Sequence, residues 1–167
     1  MNGRSSSENS PIRAIVYGIG SVNQLAVRLL GERGVQVVGA INRPGPKVGQ
    51  DVGTLSGATT PLGVLVSDDA EATLSIPADI VLVAIYDDLE RMMPIFDQCL
   101  GHGLNVISAG AHHSYPWLLS PTQTAELDDK ARRRGVSIGG MGNQDFFMVN
   151  LGTLMSGVCQ RVERIVH

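Results

Sequence analysis

Gly18-Ile-Gly20-Ser-Val-Asn23 follows directly on the β-rich run Ile12-Arg-Ala-Ile-Val-Tyr17 and leads into Gln24-Leu-Ala-Val-Arg-Leu-Leu30, whose apolar positions have helical spacing before Gly31 and Gly34. Strand, glycine turn and helix in that order give a G-x-G pattern chemical meaning. Gly18 permits the tight turn, Gly20 lets a diphosphate approach the backbone, and the helix N-terminus offers unpaired N–H groups and the positive end of a dipole. A third glycine is common in this pattern, but the position holds Asn23, whose side chain must displace the helix from the sheet or hydrogen-bond near the phosphates. A glycine turn that serves only an α/β fold is the other reading.

A second strand, Val35-Gln-Val-Val-Gly-Ala-Ile41, ends in Asn42-Arg43, where an NAD site usually places a carboxylate for the ribose 2′-hydroxyl. Asn42 can hydrogen-bond there, and Arg43 with Lys47 nearby could pair with a 2′-phosphate, which favours NADP over NAD; solvated loop charges are the alternative. Asp87 and Asp88 precede a helix beginning near Leu89 and read as its caps rather than as a catalytic carboxylate pair. Tyr115-Pro-Trp117 reads as loop packing, and Met92, Met93 and Phe96 as the core face of that helix.

The elements that must position these residues alternate. Gly63–Ser67 reads as a short third strand, the almost wholly apolar Ala78–Ile85 as a fourth at the sheet centre, Leu104–Ser108 as a fifth and Val136–Gly139 as a sixth. Helices are expected over Leu89–Leu100, with Pro94 as a possible break, and from Ser120-Pro121 to Arg134, closed by Gly135. Strands alternating with helices predict an α/β fold: a doubly wound, mostly parallel Rossmann sheet.

The composition agrees with one folded domain. The chain has 167 residues, 43 % of them hydrophobic and 17 % charged, with 20 glycines in no regular repeat. A net charge of −3 with no basic cluster beyond Arg132–Arg134 argues against nucleic acid and for small-molecule partners. No apolar run approaches the roughly 18 residues that span a bilayer. Cys99 and Cys159 lack metal-ligand spacing, and with the polar, Ser-rich residues 1–11 reading as a flexible tail, a cytoplasmic protein with reduced thiols is expected.

Longer motifs carry a resemblance. Val38-Gly-Ala-Ile, the stretch Lys47-Val-Gly-Gln-Asp-Val-Gly-Thr-Leu-Ser-Gly57, Ser114-Tyr-Pro-Trp117, Gly140-Met-Gly-Asn143 and Leu154-Met-Ser-Gly-Val-Cys-Gln160 together resemble the 2,4-diaminopentanoate dehydrogenases and related amine dehydrogenases, within the dihydrodipicolinate-reductase-like group. The resemblance implies an NAD(P)-dependent oxidoreductase moving hydride between nicotinamide and an amine-bearing carbon. It implies nucleotide contacts at Gly18, Ile19, Gly20, Ser21 and Val22, at Asn42 and Arg43, at Ala84, Ile85 and Tyr86, at Ser108 and Ala109, and at Asn143.

The chain departs from that family pattern in two respects. Where the pattern carries glutamates that handle the ammonia or iminium proton, this chain reads Ala109-Gly-Ala-His-His-Ser114, leaving His112 or His113 as candidate proton carriers, with ordinary loop histidines as the other reading. The chain also ends where the resemblance implies a second domain for substrate and oligomerisation. On that basis 12–150 is expected to be the dinucleotide domain and 151–167 the start of the second. The strand expected over 161–167 should pair with another chain, pack on the sheet edge or fray. Homo-oligomerisation, or a partner chain supplying the missing domain, is therefore expected. The function expected is hydride transfer with a small amine, imine or ketone. A nucleotide-binding regulatory module without turnover, or a non-redox cyclase or isomerase reusing the cleft, are the alternatives.

Overall fold

Six short apolar runs form the strands in the computed structural model, which describes residues 10–141 and 143–164, and of 143–146, 148 and 149 the backbone alone. They are β1 (Arg13–Tyr17), β2 (Gln36–Ile41), β3 (Val66–Ser67), β4 (Ile80–Val83), β5 (Asn105–Ser108) and β6 (Ile138–Gly140). The order across the sheet is β3-β2-β1-β4-β5-β6, and every neighbouring pair is parallel. From β1 the chain winds outward through β2 and β3, then crosses back to begin β4 on the other side. Loops leaving β1 and β4 therefore diverge, and a crevice opens at their C-terminal ends.

Side chains alternate between the two faces of the sheet, so each face has its own core. Ile15, Val81, Val83 and Val106 pack with Met92, Phe96, Leu100, Leu127 and Ala131 on one side. Val16, Ile19, Val37 and Ala40 pack with Val27, Val52 and Val66 on the other. Fully burying a side chain such as Phe96 or Ile15 contributes roughly 1.5–3 kcal/mol. The sheet centre that the sequence placed on the fourth strand is shared with β1.

The helices are α1 (Ser21–Glu32), α2 (Val52–Leu55), α3 (Ala70–Leu74), α4 (Leu89–Gly101), α5 (Pro121–Arg134) and α6 (Asn143–Ser156). Aspartates cap three of them: the carboxylates of Asp51, Asp69 and Asp88 accept the N–H of Thr54, Ala72 and Arg91, each at 2.9 Å. Of the Asp87-Asp88 pair, then, only Asp88 acts as a cap. Pro94 does not break α4, because Met92, Met93, Phe96, Cys99 and Leu100 bury one face along the sheet and outweigh one lost backbone bond. Gly135 ends α5 in the left-handed region at φ 68°.

Two observations concern the C-terminal segment. Helix α6 runs unbroken across residue 150, so no break in secondary structure marks the expected boundary there. Over its described part, 161–164, the expected last strand has no regular structure, and β6 remains the sheet edge; 165–167 lie outside the described residues. A strand with no neighbour has nothing to satisfy its backbone groups except water. Residues 1–9 of the expected tail also lie outside the described residues. Among the described residues no helix is long and apolar enough to cross a membrane. Cys99 and Cys159 are free, and burial pushes the Cys99 thiol up to about 12.

Candidate functional site

The crevice at the switch point is a cleft of about 660 Å³ lined by the glycine turn, the loop after β2 and the end of β4. That volume lies within the roughly 300–1,000 Å³ of small-molecule and cofactor sites. Of the residues singled out in the sequence, Gly18, Ile19, Gly20, Asn42, Arg43, Ala84, Ile85 and Tyr86 line it. Ser21 and Val22 form the exposed first turn of α1, behind the glycines.

The turn is built tightly. Gly18 has φ 87°, and a Cβ there would lie 2.4 Å from the Ala84 carbonyl oxygen, so strand-to-strand contact excludes any side chain. At Gly20 a Cβ would meet nothing within 4 Å, and no side chain caps the first N–H groups of α1, which begins next to this cleft-lining glycine. Asn23 turns away from the cleft. Its amide donates to the carbonyls of Tyr17 (3.0 Å), Gly18 (3.0 Å) and Leu82 (3.2 Å), fastening α1 to both central strands. A third glycine would bring helix and sheet together by its smallness; Asn23 does so by hydrogen bonds to backbone carbonyls and is not among the cleft-lining residues.

The glycine-rich stretch after Lys47, with Asp51 in it, proves to be a scaffold. Asp51 accepts the N–H groups of Thr54, Leu62 and Val64 at 2.9, 3.1 and 3.1 Å, which holds its carboxyl below the usual range, the Thr54 N–H contributing most. A Cβ on Gly53 would lie 2.7 Å from Leu62 Cγ, so the loop closes only over glycine. The scaffold carries Lys47 back to the glycine turn, where its Nζ donates to the Ile19 carbonyl. Asn42 Oδ1 accepts the Ile19 N–H at 3.1 Å.

Beyond β5 lies a smaller pocket of about 220 Å³, walled by Met93, Phe96, Trp117 and Leu127 and touched by Ser108 and His113. Ser108 thus belongs to this pocket and does not line the main cleft, while Ala109 is exposed beside it. His113 is buried, its Nδ1 sharing a 2.6 Å hydrogen bond with Ser108 Oγ and its ring edge-on to Phe96 at 5.2 Å. Gly110 and Gly140 clamp it: a Cβ on either would fall within 2.3 Å of a His113 atom. Burial pushes the His113 imidazole below its ordinary value, and its Nε2 has no hydrogen-bond partner. His112, the neighbouring candidate, stands exposed on the 3₁₀ turn Ala111–His113 and faces Asp87. Asn143 is the first residue of α6; its side chain is not among those described.

Three contributors were not legible as site residues. Asp68 follows β3 and lines the same cleft as Arg43, bringing to it a carboxylate that the residues directly after β2 do not supply. Asp87 pairs with His112 instead of capping α4. Arg91 stacks its guanidinium 3.5 Å from the centre of the Tyr86 ring, stiffening the cleft wall. Each is brought in by folding from another element; only a prediction of neighbouring strand ends could have found them. Among the described residues no group of three or more His, Cys, Asp or Glu could hold a metal ion. An open turn, an uncapped helix start and two cations fit a phosphorylated dinucleotide.

No protein-family model matches the chain. It is 29 % identical over 163 residues to 2,4-diaminopentanoate dehydrogenase of Acetoanaerobium sticklandii, covering 93 % of this chain and 45 % of that protein. Amine dehydrogenase from Mycobacterium smegmatis superposes with a TM-score of 0.84 at 41 % identity, over 93 % of this chain and 46 % of that one. Homoserine dehydrogenase of S. aureus, at a TM-score of 0.56 and 15 % identity, shares the fold alone. The chain spans about half the length of the relatives it matches. The resemblance carried by the motifs therefore holds along 93 % of the chain, in sequence to 2,4-diaminopentanoate dehydrogenase and in structure to amine dehydrogenase.

Proposed function

We propose that the chain is the nucleotide-binding part of an NADP-dependent oxidoreductase that interconverts a small amine with its imine or ketone. The observation that carries this reading is the cleft at the switch point, with the uncapped start of α1, the open Gly20 and the cations Arg43 and Lys47 around it. The coenzyme supplies hydride transfer at its nicotinamide when bound. The chain's own residues do the rest. Backbone N–H groups of the first turn of α1 receive the diphosphate, Arg43 receives the 2′-phosphate, and Tyr86, stiffened by Arg91, bounds the nicotinamide side. His112 takes or returns the substrate proton, while His113, buried and held by Ser108, shapes the loop that presents it. The relatives' names support a dehydrogenase acting on an amine; the remaining half of such a protein, or a second chain, would supply the substrate wall and the oligomer. A cytoplasmic setting suits this chemistry.

One observation favours a second reading of the coenzyme. Asp68 on the rim would accept the ribose 2′-hydroxyl of NAD and repel a 2′-phosphate, opposing Arg43. Titration of NADPH and NADH followed by nicotinamide fluorescence tests the proposal: tighter NADPH binding is expected. Failure of both at millimolar concentration would refute it. Binding without amine- or ketone-dependent absorbance change would favour a regulatory module, and product without change in coenzyme oxidation state a non-redox enzyme.

A further inference from the structure

We propose that Lys47 is the cation that holds the coenzyme diphosphate over the glycine turn, for NAD and NADP alike, leaving the choice between them to the Arg43 rim. The assignment rests on the reading of the cleft as a dinucleotide site. Its basis is the set of donors at the turn. The Gly18 N–H is spent on the Ile41 carbonyl at 2.8 Å, and the Ile19 N–H on Asn42 Oδ1 at 3.1 Å. Amides available to an anion therefore begin only at Gly20 and continue into the first turn of α1, which carries neither an acidic residue nor a side-chain cap. A diphosphate brings two negative charges to this spot. Backbone dipoles alone answer them with partial charge.

Lys47 is already there. In sequence it sits four residues beyond Arg43, within a loop that would ordinarily lead away from the turn. The loop instead folds back through Val48 N–H to Gly45 O (3.1 Å) and Gly49 N–H to Val66 O (2.8 Å), and Asp51 anchors the segment from Thr54 to Val64 behind it. One ammonium proton goes to the Ile19 carbonyl, which leaves two for an anion resting on the same turn. Among the described residues lining the cleft, Arg43 and Lys47 are positive and Asp68 is negative. The two cations are thereby divided between two phosphates, Arg43 at the end of β2 and Lys47 at the turn. A compact ammonium suits the rotating diphosphate oxygens, as a planar guanidinium suits a terminal phosphate.

Calorimetric titration of NAD, NADP and ADP into the chain and its Lys47→Met variant, with adenosine followed by NMR, tests this. The variant should lose about tenfold or more in affinity for NAD, NADP and ADP by a common factor. Adenosine binding should be unchanged, salt dependence shallower, and Lys47→Arg should recover part of the loss. Unchanged NAD and NADP binding would overturn the assignment. So would a loss confined to NADP, which would give Lys47 the 2′-phosphate, and so would an equal loss for adenosine, which would make it a brace for the turn. If the unaltered chain binds none of these nucleotides at millimolar concentration, the dinucleotide reading itself fails, a result distinct from the three above.

Discussion

Asp87 accepts the backbone N–H of His112 at 3.2 Å and holds its other carboxylate oxygen 3.9 Å from that residue's Nδ1. The loops after β4 and β5 are thus joined by a carboxylate–imidazole pair, in a chain whose 109–114 segment has no acidic residue. With Nδ1 turned toward Asp87, Nε2 is the nitrogen that the proposed proton transfer would use. Replacing His112 by Ala should lower kcat by about a hundredfold or more while coenzyme Kd stays within twofold. Asp87→Asn should lower kcat less and change melting temperature little, since exposed pairs contribute about 0–1 kcal/mol. Steady-state kinetics beside coenzyme titration checks both, and unaltered turnover in His112→Ala would return it to an ordinary loop residue.

Asn23 is the hinge of a second prediction. Its amide serves three backbone carbonyls in a buried place, so Asn23→Ala should cost about 2 kcal/mol by leaving acceptors dry. Asn23→Gly restores the commoner motif residue and should be less stable still, because glycine adds up to about 1 kcal/mol of helix cost. Thermal or urea unfolding of the two variants decides it; a gain in stability for the glycine variant would show that the three hydrogen bonds contribute little.

Sequence range explains why some of this was legible in the chain and some not. β1, the glycine turn and α1 are contiguous, so their periodicity and glycines predict the strand to within a residue and the helix to within three at its start and two at its end. α5 likewise declares itself by Pro121 and Gly135. β3 shrinks to Val66–Ser67 because only those residues reach β2, a fact of pairing that no local pattern contains. For Asn23 the sequence leaves open a displaced helix or a hydrogen bond near the phosphates, because sequence gives the position of a side chain but not its direction. The histidines divide for the same reason: adjacent in sequence, one is packed between Gly110 and Gly140 and the other stands in water.

On the proposed reading, coenzyme choice turns on the balance of Arg43 against Asp68, both of which line the cleft. Arg43→Ala should weaken NADPH by about tenfold and NADH by much less, while Asp68→Ala should tighten NADPH and loosen NADH. Fluorescence titration of both coenzymes against both variants checks it. Equal losses for the two coenzymes in Arg43→Ala would show that Arg43 does not read the 2′-phosphate.

His113 gives the chain a pH dependence whose sign can be worked out. Its imidazole is lowered from 6.5 chiefly by burial; the Asp87 carboxylate opposes this, His112 adds a smaller lowering effect, and the backbone of Asp87 and Asp88 smaller raising ones. The unfolded chain therefore binds the proton more readily than the folded one, so this residue's contribution to stability is complete above about 6.5 and is lost as pH falls toward the folded value. For one proton the slope reaches at most about 1.4 kcal/mol per pH unit. Urea unfolding between pH 7.5 and 5.5, above the range of ordinary carboxylates, should show stability falling with pH, and His113→Phe should flatten that fall even where it lowers stability throughout. NMR titration of the ring should give a midpoint below 6.5. A midpoint at or above it would mean that the protonated ring finds a partner within the fold, and the short bond to Ser108 Oγ would then have to be read as imidazolium donating to hydroxyl.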